Sequence, residues 1–221
     1  MDWQALILSL QLAAFTLAVL LPAGVWLAHW LARTGFAGKG WIEALVVLPL
    51  VLPPTVLGYY LLVSLGGASP LGRWLGHAWG VRLTFHFSGL VVASVIFNVP
   101  FLVQPVQRAF ESIPRQLVEA AAVSGLGGWQ TFWRIELPLA WPGVVSAMVL
   151  TFVHTLGEFG AVLMIGGSIP GETKTVAIAI YDRMQAFDLA GANRMALLLL
   201  MLALGAVGAS FFASARLALR R

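Results

Sequence analysis

Cysteine is absent from the 221 residues, which excludes disulfides, iron–sulfur clusters and thiolate metal sites. Charge is nearly as scarce: Asp, Glu, Lys and Arg make up 10% of the chain against 60% hydrophobic residues. No G-x-x-x-x-G-K-[ST] phosphate loop occurs, since the single Gly-Lys pair, Gly38-Lys39, is followed by Gly40. The four histidines, His29, His77, His86 and His154, lack metal-ligand spacing. Ser146 or Ser210 beside His154 is the nearest thing to a nucleophile and base, and no motif surrounds either. The expectation is a chain with no catalytic residue, no cofactor and no metal site.

What the chain has instead is length without charge. Residues 5–32, 44–72, 83–107, 137–157 and 195–215 contain no Asp, Glu, Lys or Arg. A helix of about 20 apolar residues crosses the hydrocarbon core of a bilayer, so five transmembrane helices are predicted and the fold class is all-α. A soluble core would leave each helix a polar face, and a membrane barrel would alternate polarity over roughly ten residues; neither pattern is present. The opening "MDWQALILSL" lacks the basic head of a signal peptide and is read as the start of a retained first span. Nothing outside the spans is larger than a loop, so residues 1–221 form a single domain.

Orientation follows from the basic residues between spans. With the N-terminus outside, the inner segments hold Arg33, Lys39, Arg108, Arg115, Arg134, Arg216, Arg220 and Arg221, eight in all, against five outside: Arg73, Arg82, Lys174, Arg183 and Arg194. The excess places the C-terminus and residues 108–137 in the cytoplasm. The net charge of +4 is partly this bias, and no nucleic-acid partner is inferred from it.

Several residues stand out within the spans. "LPLVLPPTVLGYY" carries Pro49, Pro53 and Pro54, which predicts a kinked or unwound second span; broken backbone at membrane depth is tolerated where protein or a water-filled cavity covers it. Pro53 and Pro54 are therefore read either as a packing bend or as part of a pathway. The third span holds Asn98, Pro100, Gln104 and Pro105, whose amides either bridge helices or face that pathway. In the fourth span His154 and Glu158 are four residues apart and are expected on one helix face; an intramembrane carboxylate is a functional-site candidate by default. After it, "GGSIPGETKT" reads as a turn and "VAIAIYDRMQAF" as a short helix. Gly205, Ala209 and Ala213 form a small-residue seam in the last span, suited to close approach by another helix.

The segment "EAAAVSGLGGWQTFWRIELP", residues 119–138, is too polar for lipid. Ser112 is expected to cap a helix there, Pro114 to sit in its first turn and Gly125 to end it in the left-handed conformation. Ile113, Leu117, Ala120, Ala121 and Ser124 make one apolar or small face shaped for docking. Gly127 and Gly128 then turn the chain into "WQTFWRIEL", with Pro138 opening the fourth span.

Glu119, Ala120 and Ala121, then Gly125, then Ile135, Leu137 and Pro138, fall at the spacing of the EAA loop, and the chain resembles permease subunits of ATP-binding-cassette importers over essentially its whole length. "VLPLVLPPTVLGYYLLVSLG" and "LGEFGAVLMIGGSIPGETKTVAIAIY" resemble molybdate importer permeases in particular. The resemblance implies the fold of type I importers, with residues 108–137 as a cytoplasmic coupling loop. It also implies two permease copies around a central path, two cytoplasmic ATPase subunits bound through the EAA helices, and an extracytoplasmic molybdate-binding protein, in a bacterial cytoplasmic membrane. Sulfate and tungstate are the competing substrates. A secondary transporter or channel is the reading from another class, and it has no reason to keep the complete EAA spacing.

Overall fold

The computed structural model describes residues 1–218, with side chains to residue 209. Arg220 and Arg221, counted above for orientation, lie outside the described residues, and Ala213 and Arg216 lie beyond the described side chains.

The core is built from three apolar helices that pack on one another through small buried residues. Helix α1 (Trp3–Arg33) starts where Asp2 Oδ1 accepts a hydrogen bond from the Ala5 amide at 3.0 Å, satisfying one of the donors a helix start leaves open. It packs against α5 (Phe87–Glu111) and α8 (Leu137–Gly157). Gly24, Ala28, Ala93 and Ala147 are buried, so backbones approach closely where lipid offers no driving force of its own. Two apolar clusters stack along the bundle. One, around Leu31, Phe110, Ile113 and Val144, lies toward the end that carries residues 108–137. The other, around Leu12, Leu90, Val162, Ile165 and Ile178, lies toward the opposite end.

The second predicted span is broken. Helix α2 (Lys39–Val51) and helix α3 (Pro54–Leu65) meet at 107° across Leu52 and Pro53, both in extended backbone. The cause is local: a residue preceding proline is pushed out of the helical region, and Pro53-Pro54 imposes that twice in succession while supplying no amide donor. Among the described residues, four helices are long and apolar enough to cross a membrane, five if the bent pair counts as one span. The window at residues 44–72 thus does not form one continuous helix, because α3 stops at Leu65 and a separate helix α4 (Pro70–Trp79) follows.

A second break ends the fourth span. Helix α8 stops at Gly157, Glu158 is extended at φ −68° and ψ 127°, and α9 (Gly160–Gly166) resumes after Phe159. His154 and Glu158 therefore do not share a helix face. The two broken spans pack on each other through small residues. A methyl group on Gly58 would lie 2.9 Å from Met164 Cβ and 3.1 Å from Ala161 Cα, and one on Gly160 would lie 3.3 Å from Pro54 Cβ. The turn after α9 leads into α10 (Val176–Gln185), as the sequence predicts, and then into α11 (Leu189–Ala218). On α11, Gly205 and Ala209 are exposed, with nothing among the described residues within 4 Å of a Cβ placed at Gly205.

Candidate functional site

Residues 108–137 build a projecting helix on a fixed base. Helix α6 (Arg115–Val123) has Pro114 at its N-cap, and a proline fits there because it needs no amide donor. Ser112 does not cap it; that hydroxyl donates to the Ala109 carbonyl at 2.8 Å, closing the end of α5 instead. At the other end Gly125 has φ +83°, its amide donates to Ala122 O, and the Leu126 amide donates to Ala121 O, both at 3.0 Å. This is the double closure of a left-handed C-terminal motif. Glycine is required by backbone conformation alone, since nothing lies within 4 Å of a Cβ placed there.

The expected docking face divides in two. Ile113 is buried in the bundle core and Ala121 is buried, whereas Leu117, Ala120, Ser124 and Glu119 are exposed and Val123 is 90% exposed. A buried pair holds the helix down while a row of small and apolar side chains stands free of the chain's own core.

The segment after Gly127 departs further from expectation. Helix α7 (Gly128–Thr131), a π-helical turn over Phe132–Glu136, and α8 form one continuous rod, Gly128–Gly157. "WQTFWRIEL" is thus the first part of the fourth span, and Pro138 sits inside the rod. The Leu137 amide donates back to Phe132 O, and this wider turn takes up the register change that a proline in an uninterrupted helix demands. At 1.5 Å per residue the 30-residue rod is about 45 Å long. Ile135 is half-buried within the turn, Leu137 is half-buried just after it and Pro138 is exposed.

Within that turn lies a cluster the sequence reading missed. Glu136 is 3% exposed and accepts from Arg33 Nε at 2.6 Å through Oε1, while its Oε2 lies 2.8 Å from His29 Nε2. Both partners come from the last turns of α1, more than a hundred residues earlier. The imidazole is also held edge-on by Phe110 and Phe132, at ring-centroid distances of 5.0 and 4.9 Å. Beside it runs a cavity of about 620 Å³ walled by Trp26, Trp129, Trp133 and Trp141; apart from His29 it offers only apolar side chains or indoles, a lining suited to lipid.

The far end of the rod meets the two breaks. There a cavity of about 330 Å³ is lined by Pro49, Pro54, Phe97, Phe101, His154 and Glu158, among others. Beneath it Ser94 Oγ donates to Glu158 Oε2 at 3.0 Å, and Asn98 Nδ2 donates to Ser94 O at 2.8 Å. Asn98 Oδ1 lies 3.1 Å from His154 Nδ1, and His154 stacks on Phe101 with centroids 3.8 Å apart. His154, Glu158, Asn98 and Pro54 are thus brought together, with Asn98 fully buried behind the lining; Pro53 shapes the bend without lining the cavity. Glu158 is 7% exposed and its Oε1 has no hydrogen-bond partner among the described residues. No lysine or arginine lines this space.

With this geometry in place, the relatives can be compared. Residues 21–221 match the family described as binding-protein-dependent transport system inner membrane component. The chain is 50% identical over 195 residues to the molybdenum transport system permease protein ModB of Azotobacter vinelandii, covering 88% of this chain and 86% of that protein. It is 39% identical to the protein of the same description from Escherichia coli K12, over 83% of this chain and 80% of that one. The sulfate transport system permease protein CysT of Escherichia coli K12 is 35% identical over 80% of this chain and 64% of its own length. Among solved structures, a bacterial ABC transporter involved in alginate import superposes with a TM-score of 0.79 at 20% identity, covering 96% of this chain and 78% of that one. The MetNI methionine ABC transporter, in inward-facing form, superposes with a TM-score of 0.65 at 20% identity, covering 98% and 92%.

Proposed function

Because the chain belongs to the family of binding-protein-dependent transport system inner membrane components, we propose that it is the membrane-spanning subunit of an importer that passes molybdate across the bacterial cytoplasmic membrane. It works as two copies, with the N-terminus outside and the C-terminus and residues 108–137 in the cytoplasm. An extracytoplasmic binding protein delivers the anion, and two copies of a separate ATPase dock on α6 and supply the free energy.

The observation that carries this reading is the form of residues 119–138. A nine-residue helix with its outer row exposed, closed by a left-handed glycine, is joined through Gly127 to a rod that ends at the membrane cavity. A displacement of α6 by a docked ATPase therefore moves one end of the element whose other end holds His154 and leads into Glu158. Glu119, Ala120, Ala121 and Gly125 are the docking residues in this scheme, and Ile135, Leu137 and Pro138 lie in or beside the turn that passes the motion on.

The chemistry of the cavity suits passage rather than storage. A dianion would be held firmly by arginine forks, and none lines the cavity among the described residues; the Glu158 side chain in its lining opposes a resting anion. Together with the paired helix breaks this favours a gate, with Pro54, Asn98, His154 and Glu158 as its parts. Gly205 and Ala209, facing outward on α11, offer a surface where a helix of the second copy can approach closely.

Sulfate is the alternative substrate, favoured by the 35% identity to a sulfate permease; both anions are tetrahedral dianions. Labelled molybdate uptake into vesicles holding this chain with its ATPase and binding protein, with sulfate as competitor, tests the reading. ATP-dependent molybdate accumulation that excess sulfate leaves unchanged is expected, together with no ATP hydrolysis by the isolated chain. Uptake of sulfate in preference to molybdate overturns the substrate assignment.

A further inference from the structure

Five basic side chains were assigned above to the outer segments, and the structure divides them. Lys174 Nζ lies 2.9 Å from Asp182 Oδ2, Arg183 Nη1 lies 2.5 Å from Asp188 Oδ2, and Arg194 Nε donates to Ala190 O at 3.3 Å. Arg73 and Arg82 have no such partner among the described residues, and neither has His77. Residues 44–110 contain no aspartate or glutamate at all. The three unpaired groups line one cavity of about 590 Å³, whose wall also includes Gly72, Gly76 and Gly80.

The local fold explains how they converge. Ser69 Oγ caps α4 by accepting from the Gly72 amide at 2.7 Å. A Cβ on Gly72 would overlap the Gly66 carbonyl, so glycine there lets the helix fold back over the end of α3. Gly80, at φ +66°, ends α4 in the left-handed conformation, and the chain reverses to bring Arg82 to the same cavity. Along α4 the side chains separate by helical period. Leu71, Trp74, Leu75 and Trp79 occupy one side, and Gly72, Arg73, Gly76 and His77 the other. Leu71, Trp74 and Trp79 are exposed, as expected of an interfacial helix whose indoles rest at headgroup level. The cavity adjoins Leu65 and Leu83, which pack in or against the cluster containing Leu12, so it opens at the end of the bundle opposite residues 108–137.

We propose that this cavity is a binding site for a tetrahedral oxyanion, held by the guanidinium groups of Arg73 and Arg82 with His77 between them in sequence. Two planar forks without acidic partners match the oxygen geometry of such anions, and glycine walls leave room for an anion between them. The site differs from the membrane cavity in kind: it has cations and no carboxylate. Two sources supply the chemistry, a free dianion such as molybdate or sulfate arriving ahead of the gate, and the phosphate of a lipid in the leaflet where α4 lies. Its position on the outer face rests on the orientation given under Proposed function; the binding chemistry does not.

The test uses the full chain purified in a phosphate-free maltoside detergent, as wild type, as R73Q/R82Q and as G76L. All three changed positions are exposed or open, with nothing within 4 Å of a Cβ at Gly76, so G76L fills the cavity while keeping every charge. Molybdate and sulfate are titrated by calorimetry, and phosphatidylglycerol retention is followed by native mass spectrometry. If free anions are the ligand, both variants bind molybdate or sulfate about tenfold or more weakly than wild type, the loss expected for two charge-assisted contacts. If lipid phosphate is the ligand, both variants lose bound phosphatidylglycerol and no form responds to the free anions. Equal binding of both ligand types by all three proteins overturns the site. So does a loss confined to R73Q/R82Q, which marks diffuse charge. Failure of the assembled importer to transport molybdate overturns the proposed function and leaves this outcome standing.

Discussion

Arg33 Nε donates to Glu136 Oε1 at 2.6 Å, joining the end of the first span to the π-helical turn near the start of the fourth. With His29 on the other carboxylate oxygen, the contact clamps the rod close to where α6 feeds into it. Glu136 is buried while Arg33 and His29 keep about a quarter of their side-chain surface, so its removal leaves two polar groups with only partial access to water.

Glu136→Ala is therefore expected to destabilise the permease by about 1–3 kcal/mol, the range for leaving buried hydrogen-bonding groups unmatched. Thermal unfolding in detergent measures it. Glu136→Gln keeps one acceptor for Arg33 and should lose less. In the assembled importer both variants should hydrolyse more ATP per anion transported than wild type; unchanged coupling with lowered stability would reduce the clamp to a packing contact.

Gly125 makes a second prediction, on backbone conformation alone. Valine at φ +83° meets a steric penalty of about 1–2 kcal/mol, with no neighbour to clash with. Gly125→Val should insert and dimerise yet lose its ATPase subunits or hydrolyse ATP without transport, whereas Gly125→Asn, compatible with the left-handed region, should retain coupling. Glu119→Ala should be milder than Gly125→Val, because one exposed contact contributes about 1 kcal/mol or less.

How far the sequence reaches is visible in these same residues. Absence of charge marked the spans, proline pairs marked the break at Leu52 and Pro53, and the spacing of Gly125 marked its left-handed turn, because each depends on chemistry within a few residues. The continuity of residues 128–157 was hidden, since polarity and Pro138 both suggest a boundary and a π-helical turn has no sequence period of its own. Glu158 was expected on a helix because nothing in the local pattern marks the break at Gly157, after which α9 packs against α3. The cluster of His29, Arg33 and Glu136 depends on two segments a hundred residues apart, and its only local trace is a carboxylate at the edge of a charge-free run.

The outer ion pairs change what charge reversal does. Lys174→Glu with Arg183→Glu would probe electrostatic docking if those groups were free, but both are engaged with Asp182 and Asp188. The expected outcome is loosening of α10 and the start of α11, read as faster amide exchange there, with docking of the binding protein reduced no more at low salt than at high.

Acid should act at the same place. The Gly191 amide, then Arg183, hold the Asp188 carboxyl below its ordinary value, with Arg194 adding to the effect. A lowered pKa stabilises the fold above the ordinary carboxylate value near pH 4, and that contribution is lost as pH falls further through the lowered one. Hydrogen exchange at Gly191, whose amide donates to Asp188 Oδ1, should accelerate beyond its intrinsic pH trend only in that acid range, and Asp188→Asn should remove the extra acceleration.

Glu158 gives the sharpest test of the membrane cavity. Its Oε2 is held by Ser94 and its Oε1 is buried with no hydrogen-bond partner among the described residues, while the residue itself lines the cavity. Glu158→Gln preserves shape and an acceptor for Ser94 while removing the capacity to carry charge. If Glu158 forms part of a gate, the variant assembles with its ATPase and binding protein at normal yield and changes the rate of molybdate uptake per ATP hydrolysed. Ser94→Ala, which frees the carboxylate without altering it, should then shift uptake as well, whereas Thr151→Ala, at a buried hydroxyl with no hydrogen-bond partner, should not. A Glu158→Gln protein that expresses but fails to assemble, with Ser94→Ala behaving alike, would show that the pair only knits α5 to the break after α8, and the gate would have to be sought among Pro54, Phe97 and Phe101 instead.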